Sequence, residues 1–142
     1  FLRVTCVLVL SCLIMVPLGL WLGSQPALVR RLQPVIQIIA AFPAPMIFPI
    51  LISFFLFARI PISVGSILLM MTGAQWYLLF NVISGAATVP YSLVEVAKRS
   101  GMSHIKILFH VYLPAAFPQI LTGLITAAGG AWNTCIVASI SG

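Results

Sequence analysis

Few residues of this chain could do chemistry, and most of them stand in one polar stretch between Glu95 and Pro114. Glu95 is the only acidic residue among 142, and the stretch also holds both histidines, His104 and His110. Acid–base catalysis or metal binding needs several such groups held together. The three cysteines lie elsewhere, without a CxxC pair, and are expected to pack as small apolar residues. We therefore expect no catalytic and no metal-binding residues, which argues against a membrane enzyme.

The apolar remainder of the chain defines its class. Hydrophobic residues make up 62% of the sequence, charged residues 6%, and the mean hydropathy is +1.21. These values indicate an integral membrane protein, with the lipid bilayer as a partner. The net charge of +6 is too scattered between apolar runs to form a nucleic-acid-binding face, so no nucleic acid is expected. Because the chain starts at Phe1 without a methionine, we expect it to be part of a longer protein.

Apolar runs predict an all-α membrane protein with about four transmembrane helices. A spanning helix needs about 20 apolar residues. The runs are Val4 to Gly23, Pro34 to about Ala58, Val64 to about Ala87, and Pro114 to Ile140. A secretory signal is the alternative for the first run, but the run is long for a signal and only Arg3 precedes it. In the last run, small residues at helical spacing, Gly123, Ala127 and Gly130, suggest a close helix contact.

Some residues in these runs are candidates for lining a translocation pathway. Prolines within the second run should kink or break its helix, which a membrane tolerates only against protein or a water-filled cavity. Deeply placed amides either tie helices together or face a solute. A plain kinked helix remains the alternative for the prolines. The pathway candidates are Pro43, Pro45, Gln75, Asn81 and Asn133.

The basic residues predict the orientation of the chain. Four spans place the loops at 24–33 and 88–113 on one side, and Arg3 with the loop at 58–63 on the other. The first side holds five basic residues and the second holds two. The positive-inside rule then places the loop at 88–113 in the cytoplasm.

This predicted cytoplasmic loop contains residues that typically begin and end helices, in the order helix, turn and second helix. Thr88 or Ser92 could cap the first helix, and Ser92 has capping-box spacing to Glu95. Gly101 predicts a left-handed stop, and Ser103 could cap a second helix running to about Tyr112. The second helix has an apolar stripe at spacings of three and four, which consists of Ile105, Leu108, Phe109 and Tyr112. We expect this stripe to be buried against another part of the protein or a partner.

The spacing of this loop resembles that of the inner-membrane permease subunits of ATP-binding cassette importers. Their loop reads Glu-Ala-Ala, three residues, Gly, nine residues, Ile, one residue, Leu-Pro. The matching residues here are Glu95, Val96, Ala97, Gly101, Val111, Leu113 and Pro114. The stretches "AAFPAPMIFPI", "GAQWYLLFNVISGA" and "LPAAFPQILTGLITAAGGAWNTCIVAS" are similar to the branch that imports nitrate, sulfonates, taurine or bicarbonate. This chain departs from that branch at Ser139, where a Glu is often found.

The resemblance implies a function and a set of partners. It implies a single permease domain over residues 1–142, in the bacterial inner membrane, with residues 88–113 as an ATPase-coupling loop. The implied partners are cytoplasmic ATP-binding subunits, a second permease domain (a second copy or a fused half), and a periplasmic or extracellular solute-binding protein. No cofactor is expected in this chain; ATP and magnesium would be bound by the ATPase subunit, because no Gly-Lys-Ser/Thr phosphate loop occurs here. A channel or secondary transporter without an ATPase is the alternative.

Overall fold

The chain is built from helices joined by short connections. The computed structural model describes residues 2–41, 44–59 and 61–140, with no strand among them. The helices are α1 (Leu2–Gly23), α2 (Pro26–Ala41), α3 (Ala44–Phe57), α4 (Ile62–Ala87), α5 (Tyr91–Arg99), α6 (His104–Ile107) and α7 (Leu113–Ile140). A π-helical turn, Leu108–Tyr112, joins α6 to α7.

Three of the described helices are long and apolar enough to cross a membrane. They contain the segments Val4–Gly23, Ile67–Ala87 and His104–Asn133. Met46–Phe57 is apolar but shorter. At 1.5 Å per residue it rises about 18 Å, against a hydrocarbon core about 30 Å thick. The predicted class, a multi-pass all-α membrane protein, is confirmed, with three long apolar helices and one shorter one.

The segment before the second predicted span is helical rather than a loop. We expected a connection over residues 24–33, but α2 already begins at Pro26. Proline suits the first position of a helix, because the N–H that it lacks would have no partner there. The prediction was wrong because it treated Arg30 and Arg31 as loop charges. Both are exposed on an amphipathic helix, whose Val29, Leu32 and Ile36 line a cavity together with residues of α1 and α4.

The second predicted span is made of the end of α2 and the whole of α3. α2 ends at Ala41 and α3 begins at Ala44. The break expected at Pro43 falls on a residue outside the described ranges. Pro49 lies inside α3 without ending it. One predicted span is therefore carried by two helices, of which only α3 is apolar throughout.

Close packing holds α4 against both α1 and α7. A Cβ added to Gly23 of α1 would lie 2.4 Å from a Cβ of α4, and one added to Gly123 of α7 would lie 2.9 Å from the Cβ of Asn81. Ala127 is fully buried, and Gly130 faces the ring of Tyr77 on α4. Small residues at such contacts let membrane helices approach closely. The predicted contact of Gly123, Ala127 and Gly130 is confirmed.

The α1–α2 connection and the segment after α4 lie at the same end of the bundle. Gly23 and Pro26 line the same cavity as Val89, Tyr91 and other residues of that segment. This arrangement confirms that the segments at 24–33 and 88–113 share a side. The α3–α4 connection lies at the opposite end, since α4 is about 39 Å long at 1.5 Å per residue.

Candidate functional site

The predicted loop begins with a cap that differs from the expected one. Pro90, in an extended conformation, takes the cap position of α5, and no side chain hydrogen bonds there. The hydroxyl of Thr88 instead donates to the carbonyl oxygen of Gly85 at 2.7 Å. Ser92 lies inside α5 and Glu95 pairs with Arg99 at 2.8 Å, so the predicted capping box does not form. Pro90 displaces the cap because its fixed φ and extended ψ start the helix at the next residue.

Gly101 ends α5 in the left-handed conformation that the sequence predicts. Its φ is +77°, and its backbone N–H donates to the carbonyl oxygen of Lys98 at 3.0 Å. Met102 donates to the carbonyl oxygen of Ala97 at 3.2 Å. These two bonds form a Schellman motif, which satisfies carbonyl groups at a helix end. Met102 packs against the same core cluster as Ala97, which fixes the turn on the bundle.

The loop helices have one buried and one exposed apolar side. Val94 and Ala97 of α5, and Ile107 of α6, are buried in the core cluster that also contains Tyr112. The opposite side carries apolar side chains that the rest of this chain leaves exposed. They are Leu93 (54% exposed), Val96 (61%), Ile105 (68%) and Phe109 (47%), which we call the outer apolar residues.

This split corrects the single stripe predicted for the second loop helix. Tyr112 is buried and Leu108 half-buried, whereas Ile105 and Phe109 of the same predicted stripe point outward. Ile107, absent from the prediction, is buried instead. The wider π-helical turn changes the angle between successive residues, so a stripe drawn with a constant α-helical period fails across it.

The π turn joins the loop to α7 without a break. Leu113 donates its N–H to the carbonyl oxygen of Leu108, five residues earlier. Pro114 follows, which lacks an N–H and whose ring would clash with the carbonyl group of His110, four residues earlier, in an α-helix. The second loop helix was predicted to end near Tyr112. It continues through the π turn as one helix from His104 to Ile140.

The residues of the predicted coupling motif occupy this loop and the start of α7. Ala97 is buried, and Val111 and Leu113 are half-buried against the same core cluster. Glu95 is directed to Arg99, and Pro114 is exposed. The motif thus combines buried residues that fix the loop on the bundle with a turn that needs positive φ.

The pathway candidates among the described residues lie on α3, α4 and α7. Gln75 and Asn81 are half-buried on α4, and Asn133 is exposed on α7. The amide of Asn81 donates to the carbonyl oxygen of Tyr77 in its own helix at 2.7 Å, so this bond does not tie helices together. None of the three lines either cavity at the loop end. Pro45 falls in the first turn of α3, and Pro43 lies outside the described residues.

Residues 15–142 match the family described as the binding-protein-dependent transport system inner membrane component. The chain belongs to this family. The match covers the predicted loop, the second and third long apolar helices, and the end of the first one from residue 15.

Curated relatives of this family member are transport permeases. The chain is 29% identical over 139 residues to the bicarbonate transport system permease protein of Synechocystis sp., covering 92% of this chain and 45% of the relative. It is 26% identical over 138 residues to the taurine transport system permease protein of Escherichia coli, covering 97% and 49%. It is 26% identical over 125 residues to the nitrate import permease protein of Synechocystis sp., covering 88% and 44%. The chain spans about half the length of the curated relatives it matches.

Two features of this family member were not predicted from the sequence. One is the exposed pair Leu93 and Val96 on α5, and the other is a neighbouring cavity that contains basic residues. Leu93 and Val96 stand three residues apart, a spacing that signals a shared helix face. Arg30 of α2 and Lys98 of α5 both line this cavity. No sequence pattern indicated that they share one space, because residues 26–33 were read as a loop.

Proposed function

We propose that this chain forms the membrane permease component of an ATP-binding cassette importer for a small anion. The observation that carries the proposal is the loop, in which α5 exposes Leu93 and Val96 and is joined through the Gly101 turn to a helix that continues into α7. The relatives named for bicarbonate, taurine and nitrate support a solute of that size and class; sulfonates belong to the same proposal. Residues 1–142 then form one permease domain, with 88–113 as its coupling loop.

The outer apolar residues are the proposed contact with a cytoplasmic ATP-binding subunit. Exposed apolar groups gathered on one surface usually mark an interaction site. Leu93 and Val96 on α5 would seat in a groove of that subunit, with Gly101 setting the angle of α5. ATP and magnesium would be bound by the subunit, so this chain would supply transport and not hydrolysis. The basic residues at this end support a cytoplasmic position of the loop in the bacterial inner membrane.

The remaining partners follow from the same proposal. A second permease domain, either another copy or a fused half, would complete a pathway. A periplasmic or extracellular solute-binding protein would deliver the solute at the far end. Gln75, Asn81, Asn133 and the prolines Pro43 and Pro45 are the proposed pathway residues. For Asn81→Leu we expect altered solute uptake with normal recovery of the ATPase subunit; loss of assembly would make Asn81 structural instead.

Copurification with substitutions on the outer surface tests the coupling role. The full-length protein is expressed with a tag in its source cell, and the recovery of an ATP-binding subunit on the tagged permease is measured. Val96→Asp places a charge on the proposed contact and should abolish recovery. The control is Phe57→Asp, a change at an exposed apolar residue at the opposite end of the bundle, which should leave recovery unchanged.

The same experiment separates the alternative function. A channel or secondary transporter needs no ATPase, so the purified chain would then transport in vesicles without ATP and without a bound subunit. Uptake of labelled nitrate, taurine, sulfonate or bicarbonate that requires ATP supports the importer. ATP-independent uptake by the chain alone rejects it.

A further inference from the structure

A cavity of about 360 Å³ lies at the loop end of the bundle, beside the proposed ATPase contact. Its walls come from the α1–α2 connection and α2, from the end of α4, and from α5, α6 and the π turn. Segments far apart in sequence therefore meet around one space. The three long helices position this space where α1 ends at Gly23 and α4 ends at Ala87.

The charged side chains that line the cavity are Arg30 and Lys98, and no carboxylate of the described residues lines it. Arg30, Lys98 and His104 line it, together with Tyr91 and Tyr112. The only acidic residue of the chain is Glu95, and it pairs with Arg99 at 2.8 Å. Arg30 and Lys98 thus line one space to which no carboxylate of the described residues contributes, and basic groups that line one space favour the binding of an anion.

The rest of the lining is apolar, and the space is large. Val29, Ala87, Val94 and Ile107 are among the apolar walls. A volume of about 360 Å³ exceeds by roughly tenfold the volume of about 30 Å³ that a water molecule occupies. An anion the size of nitrate would leave most of it unfilled. The size falls in the range of sites for organic ligands.

The chemistry of the Arg30 and Lys98 side chains indicates which class of anion the cavity can bind. The planar guanidinium of arginine matches the oxygens of phosphate in a bidentate manner, and lysine adds a point charge. Basic groups at the ends of membrane helices on the cytoplasmic side attract anionic lipid headgroups. A phosphate group joined to an apolar or glycerol portion fits both parts of the lining.

We propose that this cavity binds a phosphate ester, with Arg30 and Lys98 contacting the phosphate and the apolar wall contacting the ester portion. The ester is either the headgroup of an anionic phospholipid or a soluble phosphate ester. The inference concerns a site separate from the solute pathway and does not depend on the proposed transport function.

Binding to the delipidated full-length chain in detergent tests this site. The probes are dihexanoyl phosphatidylglycerol, glycerol 3-phosphate and inorganic phosphate, measured by native mass spectrometry and by titration calorimetry. Arg30→Gln and Lys98→Gln should each weaken binding about fivefold, and the double variant about 25-fold, if each basic group contributes as such groups do at a membrane surface.

Matched charge changes outside the cavity serve as controls. Arg31→Gln and Lys106→Gln remove the same charges from exposed neighbours that do not line the cavity, and both should bind within twofold of the unaltered chain. Elution volume and thermal stability of every variant establish that it is folded. These readouts use no ATPase and no solute, so failure here leaves the transport proposal standing.

The probes distinguish the source of the phosphate. Binding of phosphatidylglycerol alone assigns the site to a lipid headgroup, whereas comparable binding of glycerol 3-phosphate assigns it to a soluble ester. The proposal is overturned if no probe binds, if inorganic phosphate binds as well as both esters, if the cavity double variant binds like the unaltered chain, or if the controls lose as much affinity as the cavity variants.

Discussion

The backbone N–H of Met102 donates to the carbonyl oxygen of Ala97 at 3.2 Å, and this bond closes the turn around Gly101. Ala97 is buried and Met102 half-buried in the core cluster of the bundle. The turn is therefore fixed at both sides by packing, while Gly101 itself is exposed. Its geometry sets the angle between α5 and the long helix that starts at His104.

Gly101→Val tests the conformational role of this glycine. No atom lies within 4 Å of a Cβ added at Gly101, so the cost is backbone strain at φ +77° and not a clash. We expect a local cost of about 1 kcal/mol or more, normal membrane insertion, and a joint fall in uptake and solute-stimulated ATP hydrolysis. Both activities are measured in reconstituted vesicles. Gly129→Val is the control, because Gly129 is helical and equally uncrowded; full transport by Gly101→Val would remove Gly101 from the mechanism.

Pro114→Ala tests the origin of the π turn. Alanine restores an N–H that can donate four residues back, so we expect the turn to convert to α-helix. The register would shift by one residue, which rotates the loop by about 100° around the axis of α7. Spin labels at Ser103 and Ser84 should report a changed distance. Pro118→Ala, a substitution inside α7, should leave that distance unaltered, and an unchanged distance in both variants would show that Pro114 does not cause the turn.

Gly23→Ala tests the close approach of α1 to α4. The added Cβ would lie 2.4 Å from the Cβ of Ala86, an atom that moves only with its backbone. We expect a loss of about 1–3 kcal/mol in the free energy of unfolding, as in other overpacked interiors. Unfolding in a mixed detergent titration measures it. Gly129→Ala meets no atom within 4 Å and should not lower stability by this amount.

Ser11→Ala tests a buried hydroxyl of α1. Ser11 is fully buried, and among the described residues its Oγ has no hydrogen-bond partner. Removing an unpaired buried hydroxyl should raise the free energy of unfolding by about 1 kcal/mol. The same titration compares it with Ser84→Ala at an exposed position, where we expect a change within about 0.5 kcal/mol. Destabilisation by Ser11→Ala would mean that the hydroxyl has a stabilising partner.

Cysteine labelling tests the orientation. On a chain whose native cysteines are replaced by alanine, Ser103→Cys marks the loop end and Ala58→Cys the opposite end. Both positions are exposed, and the Ser103 side chain makes no capping bond. An impermeant thiol reagent added outside intact cells should react at position 58 and not at 103. The reverse pattern would invert the predicted topology.

The sequence predicted the features that depend on single residues or on local composition. Apolar runs located the three long helices, and Gly101 marked its turn, because few other residues adopt positive φ readily. The shared end of the two basic segments followed from counting spans. Each of these depends on one strong local preference, which tertiary packing reinforces.

The sequence did not predict features in which neighbouring residues favour different local conformations. Pro90 displaced the expected cap at Ser92, since the backbone of a proline decides where the helix can begin. The π turn before Pro114 altered the helical period that the stripe analysis assumed. Arg30 and Lys98 line one cavity because of the way α2 is placed beside α1 and α5, and no sequence pattern reports that arrangement.

The uninterrupted helix from His104 to Ile140 connects the loop rigidly to the opposite end of the bundle. At 1.5 Å per residue its length is about 55 Å, longer than the hydrocarbon core is thick. If the rod pivots at its loop end, a tilt of only about 5° displaces the other end by about 5 Å, a distance comparable to one helical turn. A displacement too small to disturb the packing at the loop thus becomes large on the far side of the membrane, without any flexible joint between them.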